Sequence, residues 1–429
     1  AASLFFYAWG EPRWILLLLA SILVTWLLGR AMRPEASAGR RRGLLILGLV
    51  FQLGLLVAVK YAGFFFGAFI DLPKLHLPLG VSFYTFHAIS YLVDVYRQKT
   101  PPQKNLLRLG LYLALFPKLV MGPIVPYHEL EPALAQRTID AQDVSDGCYR
   151  FTIGLAKKAL LADALAGLVT GIWGDLASLT VLSAWLGLIG YALQLYFDFS
   201  GYSDMAIGLG RMLGFRFPEN FRYPYLCSSI SDFWRRWHIS LGSWFKEYLY
   251  FPLGGSRAGT LRTLRNLLLV WLATGLWHGA SWNYVLWGLY FGVLICLEKL
   301  LAPRFWAHPR KGLLAGLYRP VCLLLAVLGW VLFRAEDLPA AGRYFACLFG
   351  GAAGASAQAR LYLHDFWPVL LLGAVGATPL CAKLAGRLGA KLQPGVRAAV
   401  QAVLVLALLA CSTVWLLNGS FQSFVYFQF

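Results

Sequence analysis

The sequence predicts an all-α polytopic membrane protein, and three observations carry that prediction. Hydrophobic residues make up 59% of the 429-residue chain, charged residues 14%, and mean hydropathy is +0.61. A soluble fold this apolar would expose large adhesive patches. Apolar runs of spanning or near-spanning length recur along the chain, and the basic residues fall in the short loops between them.

The runs lie at about 14–29, 43–70, 77–95, 106–125, 148–173, 179–197, 265–280, 283–301, 313–333, 366–386 and 396–417. Several are short or interrupted by Pro and Gly, such as "FPKLVMGPIVPY" from Phe116. Irregular backbone at membrane depth must be surrounded by protein or line a water-filled cavity. The pattern therefore predicts re-entrant pieces around a shared chamber. Arginine and lysine set the orientation. "RAMRPEASAGRRR" is basic and "DLPKLHLP" holds one lysine; "YRQKTPPQKNLLR", Arg211–Arg265 and "EKLLAPRFWAHPRK" are basic, whereas "WGDLAS" and "WHGASWN" are not. The basic loops are expected in the cytoplasm, which puts residue 1 and the end near Asn418 outside. The opening "AASLFFYAWGEPRW" has neither an initiator methionine nor a basic n-region. It reads as a fragment or processed product. The whole of 1–429 is expected to form one membrane domain, without a transporter-type internal repeat.

The formal charge of +18 alone would suggest nucleic acid, but its confinement to short loops favours contact with membrane lipids and argues against that partner. The seven cysteines stand singly and form no CxxC, so small buried hydrophobes are the favoured reading. No disulfide framework and no metal site are indicated.

"TGLWHGASWN" places His278 inside a strongly apolar region. If Arg265 marks the cytoplasmic helix end, His278 lies roughly 20 Å into a core about 30 Å thick. Ionisable groups at that depth are costly and usually face a cavity or a partner. A neutral imidazole there can take a proton from a hydroxyl, the general-base role. A packing histidine bound to a neighbouring carbonyl is the alternative.

In "SDFWRRWHISLGSWFKEYLYFPLGGSR", Trp234, Trp237, Leu241, Trp244, Phe245 and Tyr248 recur at helical steps and predict one amphipathic helix in the membrane interface. His238 borders its apolar side. Arg235, Arg236 and Lys246 lie off that side, where they can snorkel to lipid phosphate or hold the phosphates of a nucleotide-bearing donor such as coenzyme A. Spacing does not decide between the two.

In "LQLYFDFSGYSDMAIGLGRMLGFRFPENFRYP", Asp198 and Asp204 sit among apolar residues. Ser200 and Ser203 are close by, but no GxSxG elbow is present, which disfavours a Ser–His–Asp triad. "GLGRMLG" follows no strand and is no dinucleotide fingerprint. Asp198, Ser200, Asp204 and Asn283 are candidates to line the chamber or to tie helices together.

Together "YFDFSGYSDMAIGLGRMLGF", the tryptophan-rich stretch from Ser231 and "GLWHGASWNYVLWG" resemble the membrane-bound O-acyltransferase (MBOAT) family, in its bacterial AlgI-like branch. Supporting stretches are "LPLGVSFYTFHAISYLVDVYR", "FPKLVMGPI" and the C-terminal "SFVYFQF"; the likeness is strongest over 77–300. The resemblance implies an MBOAT fold of about eleven spans, with re-entrant and interfacial helices around a central funnel. It makes His278 the catalytic histidine and His238 the second histidine of the branch. It also implies acyl transfer, with acetyl-CoA the expected cytoplasmic donor, in a bacterial inner membrane. The expected acceptor is a polysaccharide or a periplasmic acetyltransferase. D-alanyl transfer for teichoic acid and a transporter with Asp198, Asp204 and His278 on its path are the competing readings.

Overall fold

The computed structural model describes residues 1–66, 77–257, 259–305, 313–419 and 424. Residues 71–76 of "DLPKLHLP", 306–311 of the basic loop and all of "SFVYFQF" but Phe424 lie outside them. The described residues are helical and contain no strand. They divide into two compact units interleaved in sequence: 1–151 with 205–219 and 243–252, and 152–204 with 220–242 and 253–429.

The first unit holds α1 (Ala2–Gly10), α2 (Ile15–Ala31), α3 (Ala38–Leu56), α4 (Val81–Tyr96), α5 (Leu106–Ala114), α6 (Tyr127–Ala135) and the start of α7 (Ala141–Ala156). Ser37 caps α3 by accepting the Arg40 N–H, and Asn105 caps α5 by accepting those of Leu107 and Arg108. α2 and α3 are joined by Gln52, whose amide donates to Ser21 at 3.0 Å and Thr25 at 2.8 Å. Such polar ties join helices that have no hydrophobic driving force between them in lipid. α4 is buried from Val81 to Val95, and two of its polar side chains, Ser90 and Asp94, are paired with neighbouring segments. Trp244 donates to Ser90 at 2.8 Å, Tyr248 donates to Asp94 at 2.9 Å, and His128 Nδ1 lies 2.8 Å from Asp94. The run 106–125 is not one helix: α5 gives way to a single turn, Phe116–Leu119, and then to irregular backbone.

The second unit contains α8 (Asp163–Trp173), most of α9 (Val181–Met212), the short α10 (Ile230–Trp234) and the start of α11 (Ile239–Phe245). It continues through α12 (Thr260–His278), α13 (Trp282–Phe305), α14 (Leu313–Arg334), α15 (Leu338–Leu348), α16 (Ala357–Gly376), α17 (Leu380–Gly389) and α18 (Pro394–Asn418). Its core is aromatic, with Phe233, Trp237, Trp287, Phe291, Trp330 and Phe333 buried together.

Among the described residues, five helical stretches are long and apolar enough to cross a membrane: Ala38–Phe65, Val181–Met212, Trp282–Leu301, Gly316–Arg334 and Pro394–Asn418. α16 and α17, bent by 68°, supply a sixth if they count as one span. Only 6% of the apolar window of α18 is buried, as expected of a helix facing lipid tails. The eleven apolar runs of the sequence thus map onto fewer uninterrupted helices of that length.

Two readings are corrected. The stretch 231–257 is not a single interfacial helix. Its backbone turns left-handed at His238, with φ of 46°, and the helix restarts at Ile239. Its aromatic face, with Trp237, Leu241, Trp244, Phe245 and Tyr248 at most 9% exposed, is covered by protein. All seven cysteines are free, but only Cys227, Cys296, Cys322 and Cys347 are buried; Cys148, Cys381 and Cys411 are exposed.

Candidate active site

His278 is the last residue of α12, where Gly279 turns the chain extended into α13. The two helices form a hairpin whose closeness is set by small residues. A Cβ on Gly275 would stand 2.3 Å from the Tyr284 carbonyl oxygen, and one on Gly288 2.4 Å from that of Trp271. That approach brings α13 against the end of α12. His278 is 7% exposed and sits among aromatic rings, with centroids 4.9 Å from Trp277, 4.9 Å from Trp287 and 5.2 Å from Phe333.

His238 belongs to a segment anchored at both ends. At its start, the Glu298 carboxylate accepts the backbone N–H groups of Ile230 at 2.5 Å and Ser231 at 2.8 Å, and the Ser231 hydroxyl at 2.6 Å. A carboxylate at the first turn of α10 satisfies donors that the helix itself cannot. At its end, Arg222 donates its N–H to the Arg236 carbonyl at 2.9 Å and Ile239 to the Asn220 carbonyl at 3.0 Å. This pairing lays Asn220 beside His238. The Asn220 Oδ1 lies 3.2 Å from His238 Nδ1 and accepts from the Ser240 N–H at 3.1 Å and the Ser240 hydroxyl at 2.9 Å. The Asn220 Nδ2 donates to Ser203 at 3.1 Å.

His238 is 2% exposed, and burial pulls its imidazolium pKa down to about 3, so the ring is neutral at physiological pH. Its Nε2 has no hydrogen-bond partner among the described residues. The ring packs 4.6 Å from Phe199 and 6.1 Å from Trp277. One indole, that of Trp277, thus touches both histidines, and the fold brings together the two candidates that lie 40 residues apart.

The other candidates have partners of their own. Asp198 is paired with Lys158 at 2.8 Å, and Asp204 with Lys157 at 2.6 Å. These pairs tie α9 to the segment Lys157–Ala162. Ser200 is buried, with no hydroxyl partner among the described residues. Asn283 donates to the Ala335 carbonyl at 2.6 Å. Arg236 donates to Asp232 at 3.0 Å; the Arg235 side chain is 71% exposed, 4.0 Å from the same carboxylate. Lys246 belongs to the first unit, with its ammonium 5.6 Å from the Phe251 ring. No serine among the described residues bonds His238, so no triad forms there.

Sequence reasoning passed over Asn220, Ser240 and Trp277. The available signal was the asparagine in "PENFRYP", a polar side chain with an aromatic neighbour in a turn just upstream of "WRRWHIS".

Helices of membrane-crossing length, aromatic packing and two buried histidines on one indole define a multi-pass helical membrane protein with an internal histidine site. The family model described as MBOAT, membrane-bound O-acyltransferase, matches residues 98–311. The probable alginate O-acetylase AlgI of Pseudomonas aeruginosa is 43% identical over 362 residues, covering 81% of this chain and 68% of that protein. The peptidoglycan O-acetyltransferase of Helicobacter pylori is 36% identical over 376 residues, covering 79% and 71%. The teichoic acid D-alanyltransferase of Bacillus subtilis is 29% identical over 286 residues, covering 62% and 71%. The chain belongs to the membrane-bound O-acyltransferase family and is an acyltransferase.

Proposed function

We propose that this acyltransferase takes an acetyl group from acetyl-CoA on the cytoplasmic side of the inner membrane. It delivers the group to a hydroxyl on the far side, for O-acetylation of an exopolysaccharide or cell-wall polymer, directly or through a periplasmic acetyltransferase. The observation that carries the reading is the convergence of His238 and His278 on Trp277 inside an aromatic, water-poor surround. There one imidazole can act as base while the other holds a reactant.

In the proposed step His278 accepts the acceptor's O–H proton as its oxygen bonds to the thioester carbonyl carbon. The C–S bond breaks as the ester forms, and the departing thiolate takes up the proton. No covalent acyl-enzyme is needed. Arg235 is the exposed cation offered to donor phosphates, with Arg236 as a secondary contact. Acetyl is preferred to D-alanyl because the two O-acetyltransferase relatives are 43% and 36% identical, against 29% for the D-alanyltransferase. A transporter reading is superseded by the family. The test is transfer of labelled acetyl from acetyl-CoA by purified protein, with D-alanyl carrier protein as the competing donor.

A further inference from the structure

We propose that Asn220 is a positioning residue that fixes His238 in its Nδ1–H tautomer and so presents a basic Nε2 to the reactants. The inference rests on the acyl-transfer reading for its catalytic consequence; the tautomer itself follows from hydrogen bonding alone.

A backbone N–H can only donate. The Asn220 atom facing the Ser240 N–H at 3.1 Å is therefore the amide oxygen. Reversing the amide would set two donors against each other in a site where Asn220 is 1% exposed. The other end of the amide agrees, since Nδ2 has the Ser203 hydroxyl as its acceptor at 3.1 Å. With Oδ1 thus fixed, the His238 nitrogen at 3.2 Å from it has to be the donor. A neutral imidazole carries one N–H, so Nε2 is left with a lone pair. That nitrogen is buried and lacks a partner among the described residues. A buried acceptor left unmatched in a native fold is a place where a ligand's proton is expected. The left-handed backbone at His238, sparsely populated for a residue other than glycine, is the kind of strain that surrounding contacts must hold. The Ile239 N–H bonded to the Asn220 carbonyl is one such contact.

Were Asn220 only a clasp for this loop, replacing it would lower stability and leave the tautomer of the folded fraction unchanged. The test is 15N NMR of histidine-labelled protein in detergent, with the His238 signals assigned from a His238→Gln variant. The wild type is expected to show Nδ1 as the protonated nitrogen and Nε2 as the bare one. Asn220→Leu is expected to lose that pattern. It should also lower kcat for acetyl transfer on the order of 10²-fold, with KM for acetyl-CoA held. Asn220→Asp keeps an acceptor for all three donors; it should retain the Nδ1–H signal and recover most of the kcat, which also guards against a leucine variant that fails to fold. A wild-type His238 protonated at Nε2 overturns the proposal, as does an Asn220→Leu protein that keeps the Nδ1–H signal and full turnover. An Nδ1–H signal in a protein that transfers no acetyl would leave this inference standing and sink the proposed activity instead.

Discussion

Gly275 and Gly288 meet almost backbone to backbone. A Cβ on Gly275 would stand 3.2 Å from the Gly288 Cα, in addition to its 2.3 Å clash with the Tyr284 carbonyl. Backbone atoms cannot swing aside as a side chain can, so the α12–α13 hairpin must open to admit even a methyl group. Gly275→Ala is expected to lower stability by about 1–3 kcal/mol and to reduce turnover by displacing His278, three residues on. Gly54→Ala, in α3 with open space around the site, is the control and should leave both unchanged. Thermal unfolding in detergent reads the first effect; equal midpoints for the two variants would contradict the packing argument.

Glu298 holds the start of α10 through three hydrogen bonds. Glu298→Ala leaves those donors without an acceptor, at a cost of about 1–2 kcal/mol by comparison with lost helix caps. Glu298→Gln, which keeps an oxygen acceptor, should recover part of the loss. Denaturation midpoints measure both, and an alanine variant as stable as wild type would remove Glu298 from the anchoring of this segment.

The arginines are expected to separate. Arg235 is largely exposed, whereas Arg236 is tied to Asp232. Arg235→Gln should raise KM for acetyl-CoA with kcat largely held, the signature of lost uniform binding. Arg236→Gln should act mainly on stability. Unchanged KM in the Arg235 variant and in the double variant would return both residues to lipid anchoring.

What the sequence made legible, and what it hid, follows from the range of the forces involved. His278 stood out because an ionisable group in an apolar run is conspicuous by itself. Asp198 and Asp204 stood out for the same reason, but their lysine partners come from Lys157 and Lys158 on another segment, 40 or more residues away, and no local pattern announces them. The amphipathic period from Trp234 to Tyr248 is real in the sequence, yet the backbone breaks it at His238. No glycine marks the break, because the left-handed turn is held from outside by Asn220. That hub is invisible locally: the 18-residue gap between Asn220 and His238 is closed by irregular backbone pairing.

Sidedness can be tested on α12, whose 19 residues reach about 28 Å, close to the thickness of a bilayer core. With the native cysteines replaced, beginning with the exposed Cys148, Cys381 and Cys411, a cysteine at Ser281 should react with an impermeant thiol reagent from outside. One at Gly259 should react only once the cytoplasmic face is opened. Labelling of both from one side would mean that α12 does not cross, and transfer across the bilayer would lose its geometric basis.

The most direct measurement is acetyl transfer from labelled acetyl-CoA by purified His278→Ala protein, alongside wild type and a folding check by thermal unfolding. A positioned general base contributes about 10²–10⁴-fold. The account predicts a fall in kcat of that size, with the variant still folded and inserted, because His278 takes the proton of the attacking hydroxyl. Wild-type turnover in the folded His278→Ala protein would contradict it.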